Sequence, residues 1–141
     1  MLRALDQAGV DYALVGALAV AVWGAPRATK DIDLLVRQED LPRAMAVMRA
    51  VGYTLEALPF QFKDGSKLQR VNKVDGAGKL MTVDLMIVDE NLESVWASRA
   101  RLPFAERDVS VVSRDALIGM KARAARPQDI MDIQNLQDLD R

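Results

Sequence analysis

Three aspartates carry the clearest chemical signal in the sequence. Asp31 and Asp33 lie in the segment 31–36, where apolar residues alternate with them as in a strand, so both carboxylates point to the same side. Carboxylates held this close repel each other, and a divalent cation such as Mg²⁺ relieves that repulsion. Asp84 lies in the middle of a second apolar run, 81–88. If the two strands are neighbours, one face presents three carboxylates, which can hold two ions for in-line displacement at phosphorus.

The composition narrows the chemistry to oxygen ligands. The 141 residues include no histidine and no cysteine, which excludes imidazole and thiolate metal sites, serine–histidine catalysis and disulfides. Carboxylates without those partners favour Mg²⁺ or Mn²⁺. The formal net charge of −1 excludes a strongly basic nucleic-acid-binding arm. A second Asp-x-Asp, at residues 138–140, is interpreted as a solvated tail.

A glycine turn is the second element that could do chemistry. Gly16 follows a predicted buried strand, 12–15, and precedes a helix of small residues, 17–23. Such a junction presents backbone N–H groups and the positive helix end to a phosphate. A plain structural turn is the alternative.

The elements that position these residues alternate along the chain. A short helix is predicted near residues 2–8, and another begins near Asp40 and ends at Gly52. A strand over 68–74, the hairpin signal Asp75-Gly76 and the strand 81–88 follow. A helix over 92–99, a short strand over 109–112, and helices over 114–125 and from Pro127 complete the pattern.

The alternation favours an α/β or α+β class and one domain, 1–141, with a sheet core in 1–112 and C-terminal helices in 113–141. Phe60 and Phe62 alternate in a poorly defined region, which fits either an edge strand or a substrate groove. The N-terminus does not have the pattern of a signal peptide, and the apolar run 12–23 is too short to cross a membrane, so a cytoplasmic location is expected.

Residues 12–20 (YALVGALAV) and 27–36 (RATKDIDLLV) together resemble the DNA-polymerase-β-like nucleotidyltransferase superfamily. Within it, the chain looks most similar to the AbiEii toxin-type branch, whose Lys-rich C-terminal motif resembles residues 121–132 (KARAARPQDIMD). The resemblance implies a small mixed central β-sheet flanked by helices. Relatives have Gly or Ser at the second small position, where this chain has Ala17, so one hydroxyl for phosphate is missing.

The resemblance also implies an activity, the transfer of an NMP from an NTP to a hydroxyl, with release of pyrophosphate. Asp31, Asp33 and Asp84 would hold Mg²⁺ or Mn²⁺, and Asp84 would also take the proton of the acceptor. Gly16 and Ala17 would cradle the phosphates through their backbone.

Three further groups of side chains belong to this hypothesis. Lys121 would hold the triphosphate, and Arg27 and Lys30 would neutralise phosphate or pair with Asp31. Asp129 and Asp132 would organise Lys121 or Arg126, in either a structural or a functional role.

The acceptor could be RNA, protein or a small molecule, and a cognate antitoxin or self-association is a further expected partnership. The alternatives to an enzyme are a weak or inactive protein of this fold, acting as a regulatory or antitoxin-like partner, and a nucleotide-binding module without transfer.

Overall fold

The computed structural model describes residues 1–25 and 31–139. Its helices and strands follow in the order α1 (Leu2–Gln7), β1 (Ala13–Val15), α2 (Gly16–Val22), β2 (Asp31–Val36), α3 (Leu41–Ala50), β3 (Leu55–Glu56), β4 (Phe60–Gln61), β5 (Lys67–Val74), β6 (Leu80–Ile87), α4 (Glu93–Ala97), β7 (Ala100–Phe104), β8 (Arg107–Val111), α5 (Arg114–Ala124) and α6 (Pro127–Asp138).

The strands form one mixed sheet in the order β3-β5-β6-β2-β1-β8-β7, with β4 also paired to β5. The strand β2 runs parallel to β6 and antiparallel to β1, and β5 and β6 form a long antiparallel hairpin. This architecture confirms the predicted mixed sheet flanked by helices. It places the two aspartate-bearing strands side by side.

The core follows the alternation of the strands. Leu34 on β2 and Val83 and Leu85 on β6 are fully buried on the face opposite the aspartates, and Met48 of α3 belongs to the same apolar cluster. One face of each strand is therefore anchored by apolar burial, which fixes the register and so the direction of the carboxylates. No helix in the described ranges has the length and apolarity needed to cross a bilayer.

Most predicted elements are present within one or two residues, and the strand 31–36 has the predicted bounds. The helix predicted over 92–99 is shorter, because α4 follows a 3₁₀ turn at Glu90–Leu92. Phe60 lies on a short edge strand, β4, that pairs with β5.

The strand β7 was not predicted. Pro103 argues against a central strand, but β7 is at the edge of the sheet, where a missing N–H is tolerated. The turn to β8 uses Ala105 and Glu106 with φ of 50° and 70°, so it lacks the glycine or asparagine by which such turns are found.

Candidate functional site

The register of β2 and β6 brings two of the three aspartates together. Asp33 lies directly opposite Asp84 on the parallel neighbour, and Asp31 lies opposite Thr82. Because side chains alternate along a strand, all three aspartates share one face of the sheet. Asp84 is buried, Asp33 is partly buried and Asp31 is exposed. The sequence-predicted carboxylate face therefore exists, with Asp33 and Asp84 at its centre.

The glycine turn lies against the same carboxylates. Val15 at the end of β1 pairs with Asp33, and Gly16 then begins α2 with a φ of +68°. A Cβ at Gly16 would overlap the Oδ2 atom of Asp33. Only glycine fits both the left-handed backbone and this close approach. The N-cap residue of α2, Val15, has an apolar side chain that makes no cap hydrogen bond. The first N–H groups of α2, beginning with that of Ala17, have no partner within the helix and point towards a site for an oxygen ligand.

The electrostatics of Asp33 reflect its crowded position. Burial, together with the negative charges of Asp84 and Asp31, raises the pKa of Asp33 from 3.8 to about 6, while Lys121 and Arg70 oppose this rise. Among the residues that the structure describes, no side chain hydrogen bonds to the Asp33 carboxylate. A cation at this point would therefore meet a carboxylate that no hydrogen bond from a described side chain holds.

Asp84 has a partner that the sequence analysis missed. The Nε and Nη2 atoms of Arg70 donate to Oδ1 and Oδ2 of Asp84 at 2.7 and 2.9 Å. This two-pronged contact holds the carboxylate in a fixed orientation and raises the pKa of Arg70 through the side-chain hydrogen bond. The hairpin signal at Asp75-Gly76 could have revealed it, since a turn there places Arg70 opposite Asp84.

Lys121 is buried where α5 meets α6. Its Nζ donates to Oδ2 of Asp132 at 2.8 Å and lies 3.6 Å from Oδ1 of Asp129. Asp129 also accepts from Nε of Arg126 at 2.7 Å, and Gln128 donates to Asp132 at 3.0 Å. The expectation that Asp129 and Asp132 organise Lys121 and Arg126 agrees with this geometry. The ammonium group of Lys121 is thereby held near Asp33, and its positive charge opposes the rise in the pKa of Asp33.

Between these elements lies a cleft of about 300 Å³. Gly16 and Asp33 form one wall, and Leu117, Lys121 and Arg126 lie on the other. The cleft thus joins the glycine turn and Asp33 to two cations, Lys121 and Arg126, whose shared partner Asp129 also lines it. Backbone N–H groups and cations of this kind are groups that can bind phosphate. Arg27 and Lys30, the other predicted phosphate ligands, lie outside the described residues.

The chemistry of the Asp33 and Asp84 carboxylates fits the divalent cation that the resemblance implies. Asp33 and Asp84 provide carboxylate oxygens, the ligands that Mg²⁺ prefers. Burial and then the charges of Asp84 and Asp31 raise the pKa of Asp33, and a bound cation would offset both effects. Among the described residues, no three acidic side chains already converge on one point. The residues therefore fit a metal held by two carboxylates together with oxygens of the nucleotide. The guanidinium of Arg70 already supplies part of the positive charge that a metal ion would bring to Asp84.

Comparison with solved structures places the fold. The chain is 15% identical to the lincosamide antibiotic adenylyltransferase LnuA in its lincomycin-bound form, covering 96% of this chain and 91% of LnuA with a TM-score of 0.67. It is 18% identical to ANT(2'')-Ia in complex with adenylyl-2''-tobramycin, covering 96% and 82% with a TM-score of 0.65.

An antigenic nucleotidyltransferase-like protein from Paracoccidioides brasiliensis is 18% identical over 98% of this chain and 72% of its own, with a TM-score of 0.61. At these identities the likeness establishes the nucleotidyltransferase fold. No curated protein matches the chain significantly.

The family comparison extends over nearly the whole sequence. The family model for aminoglycoside-2''-adenylyltransferase matches residues 1–136, which include both aspartate strands, the glycine turn and the helices that hold Lys121. The chain therefore belongs to the aminoglycoside-2''-adenylyltransferase family.

Proposed function

We propose that this protein transfers an NMP from an NTP to a hydroxyl group of a small molecule, with release of pyrophosphate, in a reaction that depends on Mg²⁺ or Mn²⁺. The observation that carries the proposal is the pairing of Asp33 with Asp84 in register beside the tight turn at Gly16. Two neighbouring carboxylates on one sheet face, beside a glycine turn at the start of a helix, favour phosphoryl chemistry over any other reaction open to a chain without histidine or cysteine.

The cation would be held by Asp33 and Asp84, with Asp31 at the rim, and would neutralise charge that develops on the phosphates. The N–H groups at Gly16 and Ala17 bind phosphate oxygens at the start of α2. Lys121, fixed by its two aspartates, adds a positive charge at the other wall of the cleft.

Asp84 accepts the proton of the acceptor hydroxyl, and the contact with Arg70, which holds the Asp84 carboxylate in one orientation, supports this role. The acceptor oxygen then forms a bond to the α-phosphorus as the bond from that phosphorus to the bridging oxygen of pyrophosphate breaks. Arg27 and Lys30, next to β2 in sequence, are proposed to bind phosphate as well.

The family favours a small-molecule acceptor over RNA or protein. The structures of two neighbours contain lincomycin and adenylyl-2''-tobramycin, respectively. The AbiEii-type branch and a toxin role therefore stay predictions, and an antitoxin partner has no support from these comparisons. We propose that 1–141 functions as one unit, its sheet core in 1–112 and its C-terminal helices in 113–141, in the cytoplasm, where NTP and Mg²⁺ are both available.

The test combines binding with transfer. Calorimetry with ATP, and with the other NTPs, in Mg²⁺ and in EDTA measures nucleotide binding, and α-labelled NTP measures transfer to a set of hydroxyl compounds. Asp84→Asn should lower transfer by roughly 10²–10⁴-fold because it removes the base, and it should weaken Mg²⁺-dependent NTP binding because it removes a proposed metal ligand. Asp108→Asn, an exposed carboxylate on β8, is the matched control and should change neither.

Retained transfer in Asp84→Asn would remove this residue from the mechanism. Absence of NTP binding by the unaltered protein would contradict the proposal as a whole, and would favour a regulatory protein that has kept the fold.

A further inference from the structure

A second cleft lies on the same face of the sheet, on the far side of Asp84 from the glycine turn. It has a volume of about 320 Å³ and is lined by Ala57, Leu58, Phe60, Phe62, Leu68 and Arg70, which we name the aromatic groove. The registers of β4 with β5 and of β5 with β6 place Phe60, Leu68 and Met86 in one row across the sheet. The groove therefore continues the surface that carries the aspartates.

The walls of the groove are held by hydrogen bonds rather than formed by a loose loop. The side chain of Gln69 donates to the carbonyl of Ala57 at 2.8 Å, and the N–H of Phe62 donates to the carbonyl of Ser66 at 2.8 Å. The rings of Phe60 and Phe62 pack edge to face with centroids 4.7 Å apart. Because these side chains are already ordered, a ring that binds to this apolar surface loses little affinity to the conformational entropy of ordering them.

Three apolar side chains of the groove are exposed to solvent and would be buried by a bound molecule. Leu58, Phe60 and Phe62 are 89%, 54% and 44% exposed, although apolar side chains of this size gain by burial. The volume is at the lower end of the range for small-molecule sites. Apolar walls with one polar group at the end are the usual composition of such a site.

Arg70 connects the groove to the chemistry. Its guanidinium lines the groove and at the same time holds both oxygens of Asp84. Strands are about 4.8 Å apart, so β4 and β6 are separated by about 10 Å, a span that one small molecule covers. A compound lying on Phe60 and Phe62 would therefore bring a hydroxyl to the Arg70–Asp84 pair.

The charge of the groove selects among acceptors. Of its six lining residues one is a cation and none is an acid. Within the groove a polyamine would meet the guanidinium of Arg70 and no acidic side chain, and both oxygens of the nearby Asp84 already accept from Arg70, so binding of a polyamine there is disfavoured.

We infer that the aromatic groove is the acceptor site, and that the acceptor is a hydroxyl compound with an apolar ring body and no positive charge. The inference rests on the proposed function for the reaction, and it adds the class of substrate.

The test separates the groove from the transferase activity. The fluorescent probe 1-anilinonaphthalene-8-sulfonate has an aromatic body and an anionic group, which match the phenylalanines and Arg70. We expect it to bind the unaltered protein and to bind the variant Phe60→Ser plus Phe62→Ser at least about tenfold more weakly, which corresponds to about 1.4 kcal/mol. The control is Ile130→Ala plus Met131→Ala, which alters exposed apolar residues of α6 and should leave the affinity unchanged.

Two acceptors then decide the class. Chloramphenicol, an uncharged nitrophenyl diol, should displace the probe, and tobramycin, a polyamine, should not. ATP binding is measured on the same proteins and should be equal in all of them. Failure of ATP binding in the unaltered protein would reject the proposed function, whereas intact ATP binding with equal probe affinity in the groove and control variants would reject the groove alone.

Three other results would overturn the inference. The first is displacement of the probe by tobramycin but not by chloramphenicol. The second is label transfer to tobramycin that the double serine variant does not change. The third is a dimer in sedimentation that dissociates in the double serine variant, which would assign the groove to contact between two copies of the chain.

Discussion

Replacing Asp33 by asparagine should stabilise the metal-free protein, although it removes a proposed metal ligand. Its pKa is raised from 3.8 to about 6, chiefly by burial and then by Asp84 and Asp31. The folded state therefore binds a proton more tightly than the unfolded state does. The associated stability is fully present below pH 3.8 and is lost as the pH rises through about 6. The difference between the ordinary pKa of 3.8 and about 6, at 1.36 kcal/mol per pKa unit, corresponds to a loss of about 3 kcal/mol in the free energy of unfolding above that pH.

Asparagine has nearly the same shape as aspartate but carries no charge, so it escapes this penalty. In EDTA at pH 8, Asp33→Asn should be more stable than the unaltered protein by about 3 kcal/mol. The difference should shrink towards zero as the pH falls to 4. Urea unfolding, followed by circular dichroism at several pH values, measures both free energies.

Two comparisons test the reasoning. The exposed control Asp108→Asn should show no such pH-dependent gain. Adding Mg²⁺ should raise the melting temperature of the unaltered protein and much less that of Asp33→Asn, since a ligand that binds only the folded state stabilises it. An Asp33→Asn protein that is equally stable or less stable at pH 8, or a gain that does not change with pH, would refute the argument that Asp33 is buried with uncompensated charge.

Three further substitutions address the cleft. Gly16→Ala should lower the free energy of unfolding by roughly 1–3 kcal/mol, because alanine is strained in the left-handed backbone of this position. It should also abolish NTP binding, because the new Cβ would displace the Asp33 carboxylate, and unchanged NTP binding in calorimetry would contradict this. Lys121→Met should lower the free energy of unfolding by about 3–5 kcal/mol because it removes the buried cation that pairs with Asp132, and adding Asp132→Asn should recover part of the loss in urea unfolding. Ala17→Ser should strengthen NTP binding about tenfold by adding a hydrogen bond to a charged oxygen, and calorimetry showing no gain would indicate that phosphate is not bound at this turn.

Sequence alone was informative wherever the relevant pattern is local. The alternation in residues 31–36 predicted the bounds of β2 and the common face of Asp31 and Asp33, because side-chain direction in a strand depends only on parity. The sequence also predicted the turn at Gly16 between a strand and a helix, since a glycine between two apolar runs has few other roles.

Local patterns gave less where the signal was absent or short. Strand β7 was missed because Pro103 argues against a strand in general and only its edge position makes it acceptable. For Phe60 and Phe62 the sequence left two interpretations open, an edge strand or a groove. In the structure Phe60 lies on the short strand β4, Phe62 follows that strand directly, and both line a cleft. The sequence could not distinguish the two interpretations because a strand of two residues carries too little periodicity to reveal its position in the sheet.

Only the tertiary structure decided which groups meet across the chain. The pairing of β2 with β6 joins Asp33 to Asp84 across 51 positions (84 − 33), and it depends on which strands bury the most apolar surface together. The same holds for Lys121, whose charge is exposed in an isolated helix and becomes buried between Asp129 and Asp132 when α6 packs on α5. The sequence determined which residues could act, and the packing of distant elements determined which of them share one cleft, because burial is a property of the whole fold.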